Sequence, residues 1–463
     1  MRFSALALYI PRLGTSQNSK TSPKKEVQMS EKCQPKRKKL KVEKKPNPSL
    51  FYCGYVSPKD QKKCPLMRKK INKYCAEHMV HDPQLSADRI PCPLDPNHTV
   101  WKRDLKSHLL KCNARAQEPQ DAWFELDYNC TLHNSSTSFT LEDDPALDVK
   151  ECIKLVESVQ FEPLSFRICQ HRGLAPHLQQ RTFQKHVLQQ ASLIGNLERL
   201  KLLAPEFFYM EYGCGKGELS RYVNQCILAD AQDCNSESYK GHSHGHHGYG
   251  YGLIDRGTNR MKSDSKIIED SESSPTDIRP RIKRSKIDIK DLNLDSFLGD
   301  VQQPQHQIVT ISKHLCGSAT DLTLKSVLNS SIFHHSFGGI LIAMCCRHVC
   351  SLDQLLPESR KYLHDLGFTS QQSFSVLKKM VSWANDASKN EEISEREHSS
   401  GLEAAQRLEL GLRARRIIDE SRAHAMRTAL GANYDVEIFW YIESEITLEN
   451  VCLSIVEKSK RNS

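Results

Sequence analysis

No apolar stretch in this 463-residue sequence approaches the roughly 20 residues that a helix needs to cross a bilayer, so no membrane partner is expected. No clear cleavage site follows the short apolar run over residues 1–9, which argues against a secretory signal. The first twenty residues contain no acid. That keeps a mitochondrial presequence as the lesser alternative to a nuclear, nucleolar or cytoplasmic location, with Met29 as a second candidate start. No internal repeat is present beyond two unlike cysteine/histidine segments, which excludes a repeat architecture.

What is abundant is cysteine, seventeen in all, and lysine near the amino end. In a reducing compartment, closely spaced Cys and His read as metal ligands rather than disulfides. The net charge of +9 is unevenly placed: residues 31–75 carry fifteen Lys/Arg against three Asp/Glu. A basic end on a balanced remainder suggests a polyanion, most simply nucleic acid, with a solvated tail as the competing reading. Composition divides the chain into a disordered basic extension (1–48), two compact Cys/His modules (50–80 and 90–113), a linker (114–148) and a helical segment (149–203). Strand and helix patterns then alternate over 204–445, interrupted by insertions at 232–250 and 385–400, and a tail follows over 446–463. This alternation predicts an α/β domain with a seven-strand-type parallel sheet, closed by a late antiparallel strand near residues 435–441.

The first module spaces Cys53, Cys64, Cys75 and His78 as C-x10-C-x10-C-x2-H, a ligand set for tetrahedral zinc, with His81 as a rival fourth ligand. So short a segment with few large apolar residues needs a staple to fold. The competing reading is three unrelated cysteines in a basic loop. The second module places Cys92, His98, His108 and Cys112 as C-x5-H-x9-H-x3-C, the last two one helical turn apart. Both read as closed structural sites. Lys62, Lys63, Arg68, Lys69, Lys70 and Lys73 surround the first and suit RNA phosphates.

Glu211-Tyr-Gly213-Cys-Gly215-Lys-Gly217 follows a short apolar strand and leads into a helix. Glycines let the backbone turn sharply and approach a ligand closely. The G-x-G-x-G spacing differs from the G-x-G-x-x-G of dinucleotide folds. An acid at its head suits a ligand with a cationic amino group and no phosphate, which S-adenosylmethionine has. The domain is therefore expected to be a Rossmann-like core that binds this cofactor at the carboxyl ends of its strands. Asp255, closing the next strand, is the candidate for the ribose hydroxyls and Asp288 for the adenine edge. A plain tight turn is the competing reading.

These segments, together with Gln189–Asn196, Ser312-Lys313-His314-Leu-Cys316-Gly317, Cys345-Cys346-x-His348-x-Cys350 and Met380-x-Ser382-Trp383, are similar to one family. It is the eukaryotic tRNA 2'-O-methyltransferases that modify the fourth nucleotide of the acceptor stem (the "Trm thirteen" family). The second module resembles a CHHC finger also found in a minor-spliceosome protein. The likeness covers residues 50–112 and 185–442; the basic extension and the His/Gly-rich insert at 232–250 lie outside its pattern. It implies methyl transfer from S-adenosylmethionine to a ribose 2'-hydroxyl of tRNA, two structural zinc ions, and no DNA partner. Lys313, at the expected active-site edge, would act as base or as a cation beside the developing alkoxide, with His314 as rival. Cys345, Cys346, His348 and Cys350 would line the ribose pocket or bind a further metal, the more readily if Cys316 joins. The alternatives are another RNA position, a base nitrogen or a protein as acceptor, or a non-catalytic zinc-dependent RNA-binding or splicing component. No Asn-Pro-Pro-Tyr or Asp-Pro-Pro-Tyr box is present, which weighs against exocyclic amine methylation. The intact acid and glycines of the turn weigh against the non-catalytic reading.

Overall fold

The computed structural model describes residues 51–112 with short gaps, 121–133, 148–179, 184–233, 248–259, 262–299, 307–387 and 401–461. The expected basic extension lies outside the described residues, as do most of both expected insertions. Two units partition the chain, residues 1–116 and 117–463. In the first, the basic Cys/His segment is a loop knotted around Cys53 and Cys75, ending in a 3-10 turn over His78–His81. The second segment is a hairpin, Arg89–Cys92 against Asp95–Trp101, followed by a short helix over Leu105–Leu109.

The larger unit is built on a seven-stranded sheet. Its strands are β1 (Phe207–Tyr212), β2 (Gly250–Asp255), β3 (Arg281–Lys286), β4 (Gln307–Cys316), β5 (Phe337–Cys345), β6 (Tyr434–Trp440) and β7 (Val451–Glu457). Their spatial order is β3-β2-β1-β4-β5-β7-β6. Pairings among β1 to β5 are parallel, while β7 runs antiparallel to both β5 and β6. Alternate residues feed opposite cores: Tyr209, Tyr251, Val309, Ile311 and Leu341 one face, Met210, Ile254, Ile308, Ile340 and Ile342 the other. Because both faces are covered, β1 and β5 are buried along their whole length, as parallel strands between helices must be.

Helices α1 (Val149–Ser158), α2 (Gln184–Arg199), α3 (Glu218–Asp233), α4 (Ser318–Asn329), α5 (Gln371–Ala387) and α6 (Ala404–Leu430) surround it. α2 and α3 cover the first face with Ile194, Leu197, Val223 and Ile227. α4 and the end of α6 cover the second with Leu324, Val327, Ala423 and Met426. A third core, with Val156, Phe374, Leu377, Leu410 and Ile417, joins α1, α5 and the start of α6. No helix among the described residues is long and apolar enough to cross a membrane.

Several sequence expectations change. The antiparallel strand is β7, within the expected tail; the strand at 434–440 runs with the parallel set and forms the sheet edge. A hairpin explains this, since the return strand must oppose its partner, and here it inserts between β5 and β6. Burial agrees: β7 is continuously buried and β6 intermittently. Residues 121–132 of the expected linker are docked on the core, with Trp123 Nε1 donating to Ser285 Oγ at 2.8 Å and Asn129 Nδ2 to the carbonyls of Ile289 and Leu292, each at 2.7 Å. The expected helical segment is not continuously helical: besides Val149–Ser158 and Gln184–Arg199 it holds only short helical turns, Arg172–Leu174 and Ala175–Leu178, among the described residues, and ahead of those turns Phe166 bridges to Trp440.

Candidate functional site

The strand order reverses between β1 and β4, and a ligand crevice opens at the carboxyl ends of strands where such a reversal occurs. The glycine turn sits there. Gly213, Gly215 and Gly217 all have positive φ (64°, 52° and 79°), the region that favours glycine. A Cβ at Gly215 would meet nothing within 4 Å, so the backbone there borders open space that a ligand can approach. At Gly213 it would lie 3.5 Å from the His314 carbonyl, which places the turn directly against β4.

Glu211 is buried beneath this turn, and its Oε2 accepts hydrogen bonds from the backbone and hydroxyl of Ser220 in the first turn of α3. Burial pushes its pKa up to about 7, against the pull of Ser220. In dinucleotide folds a phosphate occupies that helix N-terminus. Here a carboxylate of the protein already fills it, and Glu218 adds a second acid. The site therefore suits a ligand without phosphate. Asp255 bridges the next loop: Oδ2 accepts from Gly215 N at 2.7 Å and Oδ1 from Gly257 N at 2.6 Å. Asp288, just beyond β3, caps a 3-10 turn through Lys290 N and lies 4.0 Å from Arg256. Buried Gln190 donates to Glu218 at 2.7 Å, yet its Oε1, like that of Gln189, has no hydrogen-bond partner among the described residues. Open space at Gly215, carboxylates at three strand ends and spare amide acceptors fit a cationic, hydroxyl-bearing ligand such as S-adenosylmethionine.

Sequence reasoning missed Arg284. From β3 it donates to the carbonyls of Gly215 (3.0 Å) and Lys216 (3.2 Å) while Asp264 holds its other side at 2.6 and 2.8 Å. It is a positioning residue for the turn. No motif signals it, because it recognises main-chain oxygens.

Lys313 and His314 fall within an irregularity of β4, where register against β5 shifts between Ser312 and Leu315. Ser312 Oγ donates to the Tyr212 carbonyl at 2.8 Å and so ties the strand to β1 just before the break. Bulges re-aim side chains near active sites, and this one releases both residues from ordinary alternation. Lys313 Nζ lies 3.3 Å from His186 Nδ1 on α2. Burial pushes the Lys313 pKa down to about 8, opposed by Glu218 and Glu211. His314, with one edge in solvent, is pushed down to about 4 by the protein around it, then by Lys313 and His186. Of these two residues, Lys313 is the one poised to change charge near neutral pH.

In the smaller unit, the ligand atoms of Cys53, Cys64, Cys75 and His78 lie within 4.8 Å of one another, as tetrahedral zinc requires. His78 Nδ1 is 3.3 Å from Cys75 Sγ; both His78 and His81 stack on Tyr55, but only His78 joins the three cysteines. Cys92, His108 and Cys112 form a second cluster. The side chain of His98, the expected fourth member, lies outside the described residues. Among the basic residues, Arg68 turns inward and donates to the carbonyls of Tyr52, Lys70 and Asn72, so it builds the module; Lys63, Lys70 and Lys73 are exposed. The cluster His242, His244, His246 and His247 lies outside the described residues.

A family model described as methyltransferase TRM13 matches residues 188–456, and one described as a U11-48K-like CHHC zinc finger matches residues 89–113. The chain is 50% identical to the tRNA:m(4)X modification enzyme TRM13 of Scheffersomyces stipitis over 86% of this chain and 98% of that protein. The protein of that name from Debaryomyces hansenii is 48% identical over 92% of this chain and 95% of its own length. The one from Saccharomyces cerevisiae is 35% identical over 88% and 96%. No solved structure matches the chain.

Proposed function

This chain belongs to the TRM13 methyltransferase family, and from that premise we propose that it transfers a methyl group from S-adenosylmethionine to the ribose 2'-hydroxyl of nucleotide 4 in the tRNA acceptor stem. The relatives' name, a tRNA:m(4)X modification enzyme, supports the substrate. The observation that carries the chemistry is geometric: a glycine turn bordering open space, with Glu211 at the helix N-terminus beneath it, packs against the irregular stretch of β4 that presents Lys313 at the sheet's reversal point. The strand order supports reading the core as Rossmann-like.

S-adenosylmethionine, when bound, supplies a methyl group activated by its sulfonium. Asp255 would take the ribose hydroxyls, Asp288 the adenine edge, and Glu211 would set negative charge beneath the amino group. Lys313 Nζ, when neutral, would accept the proton of the attacking 2'-hydroxyl. Arg284 keeps the turn from shifting, so positioning contributes much of the acceleration. The two Cys/His clusters of the smaller unit would each hold one structural zinc ion. Incubating purified protein with labelled cofactor and total tRNA, then mapping the modified nucleotide, tests this. Label on the 2'-oxygen of nucleotide 4 supports it; label at another position or on a base overturns it.

A further inference from the structure

Three thiols that this reaction does not use meet where β4 and β5 end. The parallel register pairs Cys316 with Cys345, and their Sγ atoms are 3.3 Å apart. Continued strand alternation would send Cys346 to the opposite face. Instead Cys346 adopts φ 49° and ψ 44°, a left-handed conformation uncommon for a residue with a side chain. That turn brings all three Sγ atoms within 4.8 Å of one another. Cys350, which the sequence groups with them, is buried and stands outside the trio, as does His348.

Strain of this kind persists only where the surroundings fix it. Gly317 N donates to the Cys345 carbonyl at 3.2 Å, and a Cβ on Gly317 would stand 2.7 Å from Val349, so the two strand ends interlock. Arg347, next to Cys346, is buried; its Nε and Nη2 donate to the two carboxylate oxygens of Asp419, and its Nη1 pairs with Glu449. Arg422 on α6 donates to the Gly317 carbonyl at 3.1 Å. The arrangement is therefore held from both sides, while Cys316 faces solvent.

We propose that Cys316, Cys345 and Cys346 bind one zinc ion through three thiolates, leaving a fourth position on the open side for an oxygen ligand, a water or a hydroxyl. Zinc–sulfur bonds of about 2.3 Å place thiolates about 3.8 Å apart in a tetrahedron. The 3.3 Å between Cys316 and Cys345 lies nearer that spacing than the roughly 2.05 Å of a disulfide. Cys92 and Cys112, in the finger-type cluster, are 3.7 Å apart. Three protein ligands with one open position is the pattern of a reactive rather than a closed zinc site.

Metal analysis of the full-length protein, purified without chelator, tests the site whether or not the chain transfers methyl groups. The double variant Cys316→Ser/Cys346→Ser is expected to carry one zinc ion fewer than the parent, with both finger clusters retaining theirs. An unchanged count overturns the proposal. A second measurement needs no variant: in native protein, Cys316 should resist iodoacetamide until a chelator removes the metal, then react. Immediate alkylation of Cys316 in zinc-replete protein, or recovery of a Cys316–Cys345 disulfide from it, overturns the site.

Discussion

Lys313 shows how much a single position depends on its surroundings. On a surface its amine would titrate above pH 10; here burial brings it to about 8. A base must be neutral, and at pH 7 only about a tenth of such amines are. The methyl-transfer rate should therefore rise about tenfold from pH 6 to 7 and level off above about 8. Lys313→Arg, which stays charged, should lose this limb and about 100-fold or more in kcat while keeping cofactor affinity. A wild-type pH profile in that variant would move the proton-accepting role to another group. Sequence spacing singled out Gly213, Gly215, Gly217 and Asp255 as candidates because a turn and a strand end constrain residue type. It could not single out Lys313 from His314, since their difference arises from burial. Arg284 was invisible because nothing in a basic strand marks the arginine that meets carbonyl oxygens.

Among elements, the parallel strands were legible from their continuous apolar runs, and β3 was not. Its sequence, Arg-Ile-Lys-Arg-Ser-Lys, is that of an edge strand protected by charge. The longest helix, α6, also escaped, for a different reason. It buries Arg407, Arg415, Asp419 and Arg422, so polar residues occupy positions that a helical pattern would fill with apolar ones. Three of them pair with residues distant in sequence, Arg415 with Glu449, Asp419 with Arg347 and Arg422 with Asp321 at 2.7 Å, which no local pattern reveals. The Cys/His modules were legible because ligand spacing alone defines them. Cys75→Ser and His108→Ala should each remove one zinc ion per chain and unfold only their own module, since binding supplies its folding free energy. Metal analysis with limited proteolysis checks this; an ordered amino-terminal unit free of zinc would refute it.

At the scale of the whole molecule, the proposed transfer to one ribose would demand that a large RNA be held in register. A-form helices are gripped mostly through their sugar–phosphate surface. Lys63, Lys70 and Lys73 lie exposed on the first module, as such a grip requires. Changing Lys69 and Lys70 to Glu should weaken tRNA binding and lower its salt dependence by about one unit of log–log slope per lost phosphate contact. Affinity for S-adenosylmethionine should stay unchanged. Normal tRNA affinity in this variant would shift the RNA surface to the larger unit. Composition alone set the Cys/His modules apart from the rest of the chain. The docking of residues 121–132 on the core was not legible, because Trp123 and Phe124 pack there without any period.

The carboxylate of Glu211 under the first turn of α3 also bears on competition among metabolites. Most adenosine in a cell is esterified to phosphate, and those compounds share the adenosine half of S-adenosylmethionine. A pocket that recognised only adenosine would be clogged by them. On the proposed function, Glu211 would reject the crowd by occupying the place where a phosphate would settle, and the more strongly as it ionises above its pKa of about 7. S-adenosylhomocysteine should displace labelled cofactor, whereas millimolar ATP should not, and Glu211→Gln should narrow that gap. ATP competing equally well with the unaltered protein would remove Glu211 as the discriminating group.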